Sequence, residues 1–289
     1  MLFAYAQLAL AMAMVGAVVA LAKPLLAVFP LLVLVTLRQV IASTTLMAWV
    51  AATGGSLRPP PRDVWRPLLL QVLFGNFLFN IALLAGVART GAIEAGLITS
   101  TLPAMIALLA WRMLGEHITV PTRVAVLLAI AGVALLELAG SHDGGDNSLL
   151  GDALVFLAVL FEALYTIYAK QLSGRIEPLH ATMWANLIGL VLFLPFGLFQ
   201  IGDVAFGAVA VSDWLLLLAY ALMASVFAFW LWYRGTVRVP AAKAGLFTAL
   251  MPLTAVAVAI AALGETPTIA HAVGSLLLLG SLALAVRKA

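Results

Sequence analysis

Ten long apolar runs fill almost the whole of this 289-residue chain. They lie at about Leu2–Ala22, Pro30–Ala52, Leu68–Ala88, Ala92–Trp111, Pro121–Ala139, Leu149–Lys170, Leu179–Phe199, Ser212–Tyr233, Ala241–Leu263 and Ile269–Val286. The hydrocarbon core of a bilayer is about 30 Å thick, and a helix rising ~1.5 Å per residue needs roughly 20 apolar residues to cross it. Lipid offers no water to an unpaired backbone group, so a spanning run of this kind is a helix. Composition agrees. Charged residues make up 9% of the chain, against about 25% in ordinary soluble domains, which is too few to coat a water-facing surface. The chain is therefore read as an all-α integral membrane protein. Its first run has no positive n-region and meets its first cation, Lys23, only on the far side, so it is read as a membrane helix rather than a cleaved signal peptide.

The net charge of +3 does not point to nucleic acid, because the cations are scattered at the ends of the apolar runs. They are a topology signal. With the N-terminus in the cytoplasm, twelve Lys and Arg fall on the inside (Arg58, Arg62, Arg66, Arg112, Arg123, Lys170, Arg175, Arg234, Arg238, Lys243, Arg287, Lys288). Two, Lys23 and Arg89, fall outside, and Arg38 lies within the second run. The positive-inside rule then places both termini in the cytoplasm.

A self-comparison at an offset of 149 overlays runs three to five on runs eight to ten. Trp65 falls on Trp214, Gly86 on Gly235, Arg89 on Arg238, Ala95-Gly96-Leu97 on Ala244-Gly245-Leu246, Thr99 on Thr248, Pro103 on Pro252 and Leu114-Gly115-Glu116 on Leu263-Gly264-Glu265. An offset of 147 puts Lys23 on Lys170. The chain divides into a first five-helix repeat at 1–139, a linker at 140–148 and a second repeat at 149–289. Five is odd, so the second repeat enters the membrane inverted. Two inverted copies of one fold can exchange conformations and open a midplane site to each side in turn.

Ten helices in two such repeats, each with Gly-x2-Thr-x3-Pro in its fourth helix and Leu-Gly-Glu at that helix's end, resemble the drug/metabolite transporter superfamily, its EamA-type branch, and within it the YddG-like amino-acid exporters. The resemblance covers essentially the whole chain. It implies a carrier of the bacterial inner membrane with a central cavity, exporting amino acids or related metabolites. Members of the family often carry Trp-Gly in the first helix, where this chain has Val15-Gly16.

Residues able to hold a substrate are polar groups inside the spans. Glu162 lies near the middle of run six, where an ionised carboxylate costs at least ~2.5 kcal/mol unless it faces a cavity, pairs, or carries a proton. It is read as a receptor for a substrate ammonium or a coupling proton; the bland alternative is a structural pair with Arg38. Tyr165, one turn on, could stack on a substrate side chain. Asn76 and Asn80 share a face of run three and serve either as cavity lining or as interhelical glue; Thr182 and Asn186 are read as glue. Pro103 and Pro252 each remove a helix hydrogen bond, to the carbonyls of Thr99 and Thr248, while Gly96 and Gly245 permit close helix approach. These four, with Glu116 and Glu265, are the hinge and gate candidates. Trp49, Trp65, Trp111 and Trp214 mark span ends, and Trp230 and Trp232 are assigned mostly to the same interfacial belt.

No His-Glu-x-x-His, nucleophile set or metal cluster appears, and there is no cysteine. The expected partners are a small-molecule substrate, membrane lipid and protons, without a cofactor or nucleic acid; the oligomeric state is left open, and a monomer is compatible. Exporters of drugs, purines, sugar-type or toxic compounds in the same superfamily, and a channel-like facilitator, are the alternatives. Because the chain has no native cysteine, single cysteines placed beside Gly115 and Gly264 should react with a membrane-impermeant maleimide from opposite faces of intact cells. Labelling of both from one face would remove the inversion.

Overall fold

The structure is a computed structural model and describes residues 1–87, 89–90, 92–140, 148–263 and 268–286. It is helical throughout, with one isolated bridge between Ser173 and Ile176 as the sole β-pairing among the described residues. The first half contains α1 (Leu2–Leu26), α2 (Leu31–Ala52), α3 (Arg62–Val72) continued through a π-helical turn (Leu73–Leu78) into α4 (Phe79–Val87), α5 (Ala92–Thr99), α6 (Leu102–Leu114) and α7 (Val120–Gly140). The second contains α8 (Leu149–Leu172), α9 (Pro178–Gln200), α10 (Val211–Ala221) continued through a π-helical turn (Leu222–Phe227) into α11 (Ala228–Thr236), α12 (Ala241–Leu246), a 3-10 turn (Phe247–Ala249), α13 (Leu250–Leu263) and α14 (Ile269–Val286). Among the described residues eight segments are long and apolar enough to cross a membrane, and the shorter apolar stretches Leu2–Val18 and Val120–Leu136 lie within α1 and α7.

The sequence repeat reappears in the backbone. Moved along the chain by the offset of the repeat, α3, its π-turn and α4 reproduce the bounds of α10, its π-turn and α11. The packing is crossed between the halves: α1 lies against α11 and α13, while α8 lies against α4 and α6. The remaining large contacts, α2 with α9 and α7 with α14, join equivalent helices. This is the contact pattern of a pseudo-twofold axis, and it means that neither half closes its own core.

Glycines set the distance of these crossings. A Cβ on Gly86 of α4 would lie 2.7 Å from the Val155 side chain and 3.0 Å from the Gly151 carbonyl oxygen of α8. A Cβ on Gly235 of α11 would lie 2.6 Å from the Leu8 side chain and 3.1 Å from the Ala4 carbonyl oxygen of α1. Leu8 and Ala4 are the counterparts of Val155 and Gly151 at the offset that pairs Lys23 with Lys170, so one contact is built twice. In lipid, where apolar side chains gain nothing from leaving water, close backbone approach of this kind is a main source of helix association.

Two expectations change. Trp232 is 1% exposed and joins the core with Leu8, Leu68 and Leu172, so it leaves the interfacial belt. Residues two apart on a helix point to nearly opposite sides; Trp230, which stacks beneath Arg234 at 4.7 Å and meets Trp49, keeps the outer position. The third span also begins earlier, at Arg62, because Pro61 precedes a first turn carrying Asp63, a favourable helix start. The 140–148 linker falls mostly outside the described residues. Gly86→Val and Gly235→Val should each cost about 1–3 kcal/mol through overpacking, read as a lowered thermal-unfolding midpoint in detergent. Gly280→Ala, with open space around it, should leave the midpoint unchanged.

Candidate functional site

The two π-turns place the site. A π-turn takes an extra residue per turn and loosens the backbone ladder, so its carbonyls need other donors in lipid. At Asn76 the carbonyl accepts from the Asn80 amide at 2.6 Å. At Ser225, the counterpart of Asn76 in the second half, it accepts from the Asn186 amide of α9 at 3.0 Å, and that amide also donates to the Thr182 carbonyl at 2.9 Å. Asn186 thus performs the gluing role read from the sequence. Asn80 both caps the π-turn and lines the cavity described below.

The prolines act differently from expectation. The fourth span of each half is interrupted, by a gap in the first and by a 3-10 turn in the second: α5 ends at Thr99 and α6 begins at Leu102, so Pro103 occupies a first-turn position, where a missing N–H costs little. Pro252 likewise lies in the first turn of α13, after the 3-10 turn. The prolines start helices here and do not kink them. Beside the interruption in both halves a threonine bonds back one turn: Thr99 Oγ1 donates to the Gly96 carbonyl at 3.0 Å and Thr248 Oγ1 to the Gly245 carbonyl at 2.7 Å. Gly245 brings α12 against Ile106 of α6, and its Cβ would lie 2.6 Å from that side chain.

Between the first π-turn, the interrupted fourth spans and the middle of α8 lies a cavity of about 330 Å³. Eight of the residues singled out from the sequence line it: Arg38, Asn76, Asn80, Thr99, Pro103, Glu162, Thr248 and Pro252. Tyr165 does not. Its ring packs on Gly75 and stands edge-on to Phe229 at 6.1 Å, one layer behind the wall. Gly96 and Gly245 do not line it either, and Glu265 lies outside the described residues. Apolar lining comes from Val15, Phe79, Leu83, Phe229 and Met251, which polarity alone could not flag. The repeat could have found two of them, since Phe229 occupies the position of Asn80 at the offset of 149 and Val15 that of Glu162 at the offset of 147.

The charges in this wall are unmatched. Among the described residues the Glu162 carboxylate has no hydrogen-bond or ion-pair partner, and the expected pair with Arg38 does not form. The Arg38 guanidinium stands 5.8 Å over the Tyr220 ring, within reach of a cation–π attraction, and its buried Nε has no partner. Both side chains thus line one cavity at membrane depth without pairing with each other. That arrangement is costly in protein alone and can serve a ligand carrying both signs.

Glu116 works elsewhere. Gly115 takes φ +68°, the left-handed conformation that ends α6, and turns the next residue towards the second half. One carboxylate oxygen of Glu116 accepts from Ala241 N–H at 2.6 Å and the other from Ala242 N–H at 3.0 Å, capping the start of α12. Beside it Lys170 Nζ donates to the Thr236 and Val239 carbonyls at 2.5 and 2.8 Å. The turn between α11 and α12 is therefore gripped by a carboxylate on its amide end and an ammonium on its carbonyl end. Lys170 is a binding partner that sequence alone presents only as a topology charge.

The pattern of the EamA-like transporter family matches residues 2–138 and again residues 149–287. The chain is 38% identical to "Uncharacterized transporter YetK" of Bacillus subtilis (strain 168), over 99% of this chain and 87% of that protein. It is 27% identical to "Probable terminal-alkyne amino-acid exporter" of Streptantibioticus cattleyicolor, over 88% of this chain and 83% of that protein. A protein of known crystal structure superposes on 96% of this chain and 95% of its own with a TM-score of 0.79 at 21% identity, a likeness of fold. The chain belongs to the EamA-like transporter family, and so to the drug/metabolite transporters of the membrane.

Proposed function

We propose that this transporter exports small zwitterionic metabolites, amino acids foremost, across the bacterial inner membrane by alternating access through the cavity beside Glu162. The observation that carries the reading is the pair of unmatched, oppositely charged groups, Arg38 and Glu162, lining one small cavity. An α-amino acid supplies a carboxylate for the guanidinium and an ammonium for the carboxylate, and charge-assisted hydrogen bonds are the stronger kind. Asn76, Asn80, Thr99 and Thr248 add donors and acceptors around it, and Phe79, Leu83, Phe229 and Met251 receive an apolar side chain. The name carried by the Streptantibioticus relative supports the same substrate class.

In this reading the crossed bundles, α1 with α11 and α13 and α8 with α4 and α6, rock against each other, with Gly96, Pro103, Gly245 and Pro252 at the breaks as hinges. Glu116 and Lys170 close the side that the Lys and Arg distribution assigns to the cytoplasm. In sequence, Glu265 is the counterpart of Glu116 in the second repeat. A second reading, export of cationic drugs or other metabolites, is favoured by the apolar wall and would need Glu162 but not Arg38.

In proteoliposomes, Glu162→Gln should lower amino-acid counterflow by about tenfold or more, the loss of a charge-assisted contact of ~1.5–3 kcal/mol, with folding intact. Wild-type counterflow in that variant would take the carboxylate out of the site. Arg38→Gln should impair amino acids but spare cationic substrates, and an imposed pH gradient should drive the wild type but not Glu162→Gln. Wild-type indifference to that gradient would leave an exchanger or facilitator. For the gate, Glu116→Ala should speed hydrogen exchange of the Ala241 and Ala242 amides by roughly tenfold or more, as two charge-assisted bonds are lost. Unchanged exchange would show that the grip is not what holds that turn.

A further inference from the structure

We infer that the outward groove between α6 and α7 is a binding site for one anionic phospholipid of the cytoplasmic leaflet; the leaflet rests on the orientation read from the Lys and Arg distribution. The groove is separate from the transport cavity and has a volume of about 530 Å³. Its two walls are single helix faces. Ala104, Ala107, Leu108 and Trp111 recur along α6 at helical spacing, and Arg123, Val126, Leu127 and Ile130 do the same along α7. Two turns of helix give the groove a length of about 10 Å. The other face of α7 is occupied by α14, where Gly132 and Gly274 meet, so the groove side is the one turned to lipid.

The groove is polar at one end only. His117 and Arg123 line it where the two helices join, and everything further in is apolar. Among the described residues neither side chain has a hydrogen-bond or ion-pair partner. The one acid between Arg112 and Arg123, Glu116, is turned away into the amides of α12. Trp111 is 59% exposed at the same end, the position of an indole at the headgroup boundary. A cationic mouth at headgroup depth above an apolar channel matches a phospholipid with its phosphate at Arg123 and His117 and an acyl chain along Ala104 and Ala107. Anionic lipid is the complement of that charge.

The internal repeat supplies a comparison within one molecule. At the offset of 149, Ala104 and Ala107 become Leu253 and Val256, Trp111 becomes Ile260, His117 becomes Thr266 and Arg123 becomes Ala272. The second half replaces the small residues of the channel by larger ones and has no cation at these positions. The features that make the groove fit a lipid are confined to the copy whose mouth faces the cytoplasm, so the shared fold does not require them.

The test is native mass spectrometry of the purified full-length chain, mixed with phosphatidylglycerol or with phosphatidylcholine of the same acyl chains. The wild type should retain one phosphatidylglycerol in preference to phosphatidylcholine. Arg123→Gln should weaken that retention on the order of fivefold, the equivalent of about 1 kcal/mol for one cation, and His117→Ala, which removes a hydrogen-bonding side chain at the mouth, should weaken it by less. Ala104→Leu, the residue of the second half, should weaken retention of both lipids. Equal retention of the two lipids by the wild type overturns the proposal without any variant, as does undiminished retention in the Arg123→Gln, His117→Ala double variant. A dimer whose formation excludes the lipid would assign the groove to a second copy and also overturn it.

Discussion

A bilayer offers nothing to hydrogen-bond a free carbonyl or amide, so every departure from the α-helix must be answered by the protein itself. In this chain the departures are concentrated in the third and fourth spans of each half, and the answers are visible. Asn80 and Asn186 take the carbonyls released in the two π-turns. Thr99 and Thr248, beside the two interruptions, bond back to the Gly96 and Gly245 carbonyls. The irregular segments are the ones that supply much of the cavity wall. The same constraint that forbids loose backbone towards lipid thus collects irregular backbone around this cavity.

Crossed packing then decides what can move. Because α1 is seated on α11 and α13, and α8 on α4 and α6, the rigid bodies are not the two sequence halves taken separately. Gly86 and Gly235 bring the crossed partners to backbone contact, which leaves little room for sliding there. The breaks in the fourth spans interrupt the α-helical ladder, whereas the turn between α11 and α12 is held by Glu116 and Lys170. The alternating access proposed above would place its motion at the breaks.

Much of this is legible in the sequence because lipid simplifies the code. Span lengths follow from hydrocarbon thickness, and Gly, Pro and Glu matches at a fixed offset are rare enough to expose the repeat. Glu162, Arg38 and the Asn76–Asn80 pair stand out because polar groups at membrane depth need a reason. Less legible is the direction in which each side chain points. Tyr165 and Trp232 are one helical face away from the roles their positions suggest, and a helix apolar on all sides has no periodicity to show which face is inward. Pro103 reads as a kink because its sequence cannot reveal that the helix has already ended at Thr99. The grip of Lys170 on the α11–α12 turn joins residues 66 and 69 positions apart, a distance over which sequence pattern carries no contact information.

Symmetry supplies the scaffold, and the departures from it supply the chemistry. Glu162 of α8 corresponds, at the offset of 147 that relates the two first helices, to Val15 of α1, and both residues line the cavity. Asn80 faces it in one half and Phe229 in the other. Arg38 has no basic counterpart at either offset, since Ala185 and Leu187 stand there. A perfectly symmetric cavity would present paired like charges, which repel, or none at all. One basic and one acidic side chain on a twofold frame instead leave the two walls of the cavity chemically different, and in the proposed function that difference is what would bind a substrate carrying both signs while the frame inverts its access.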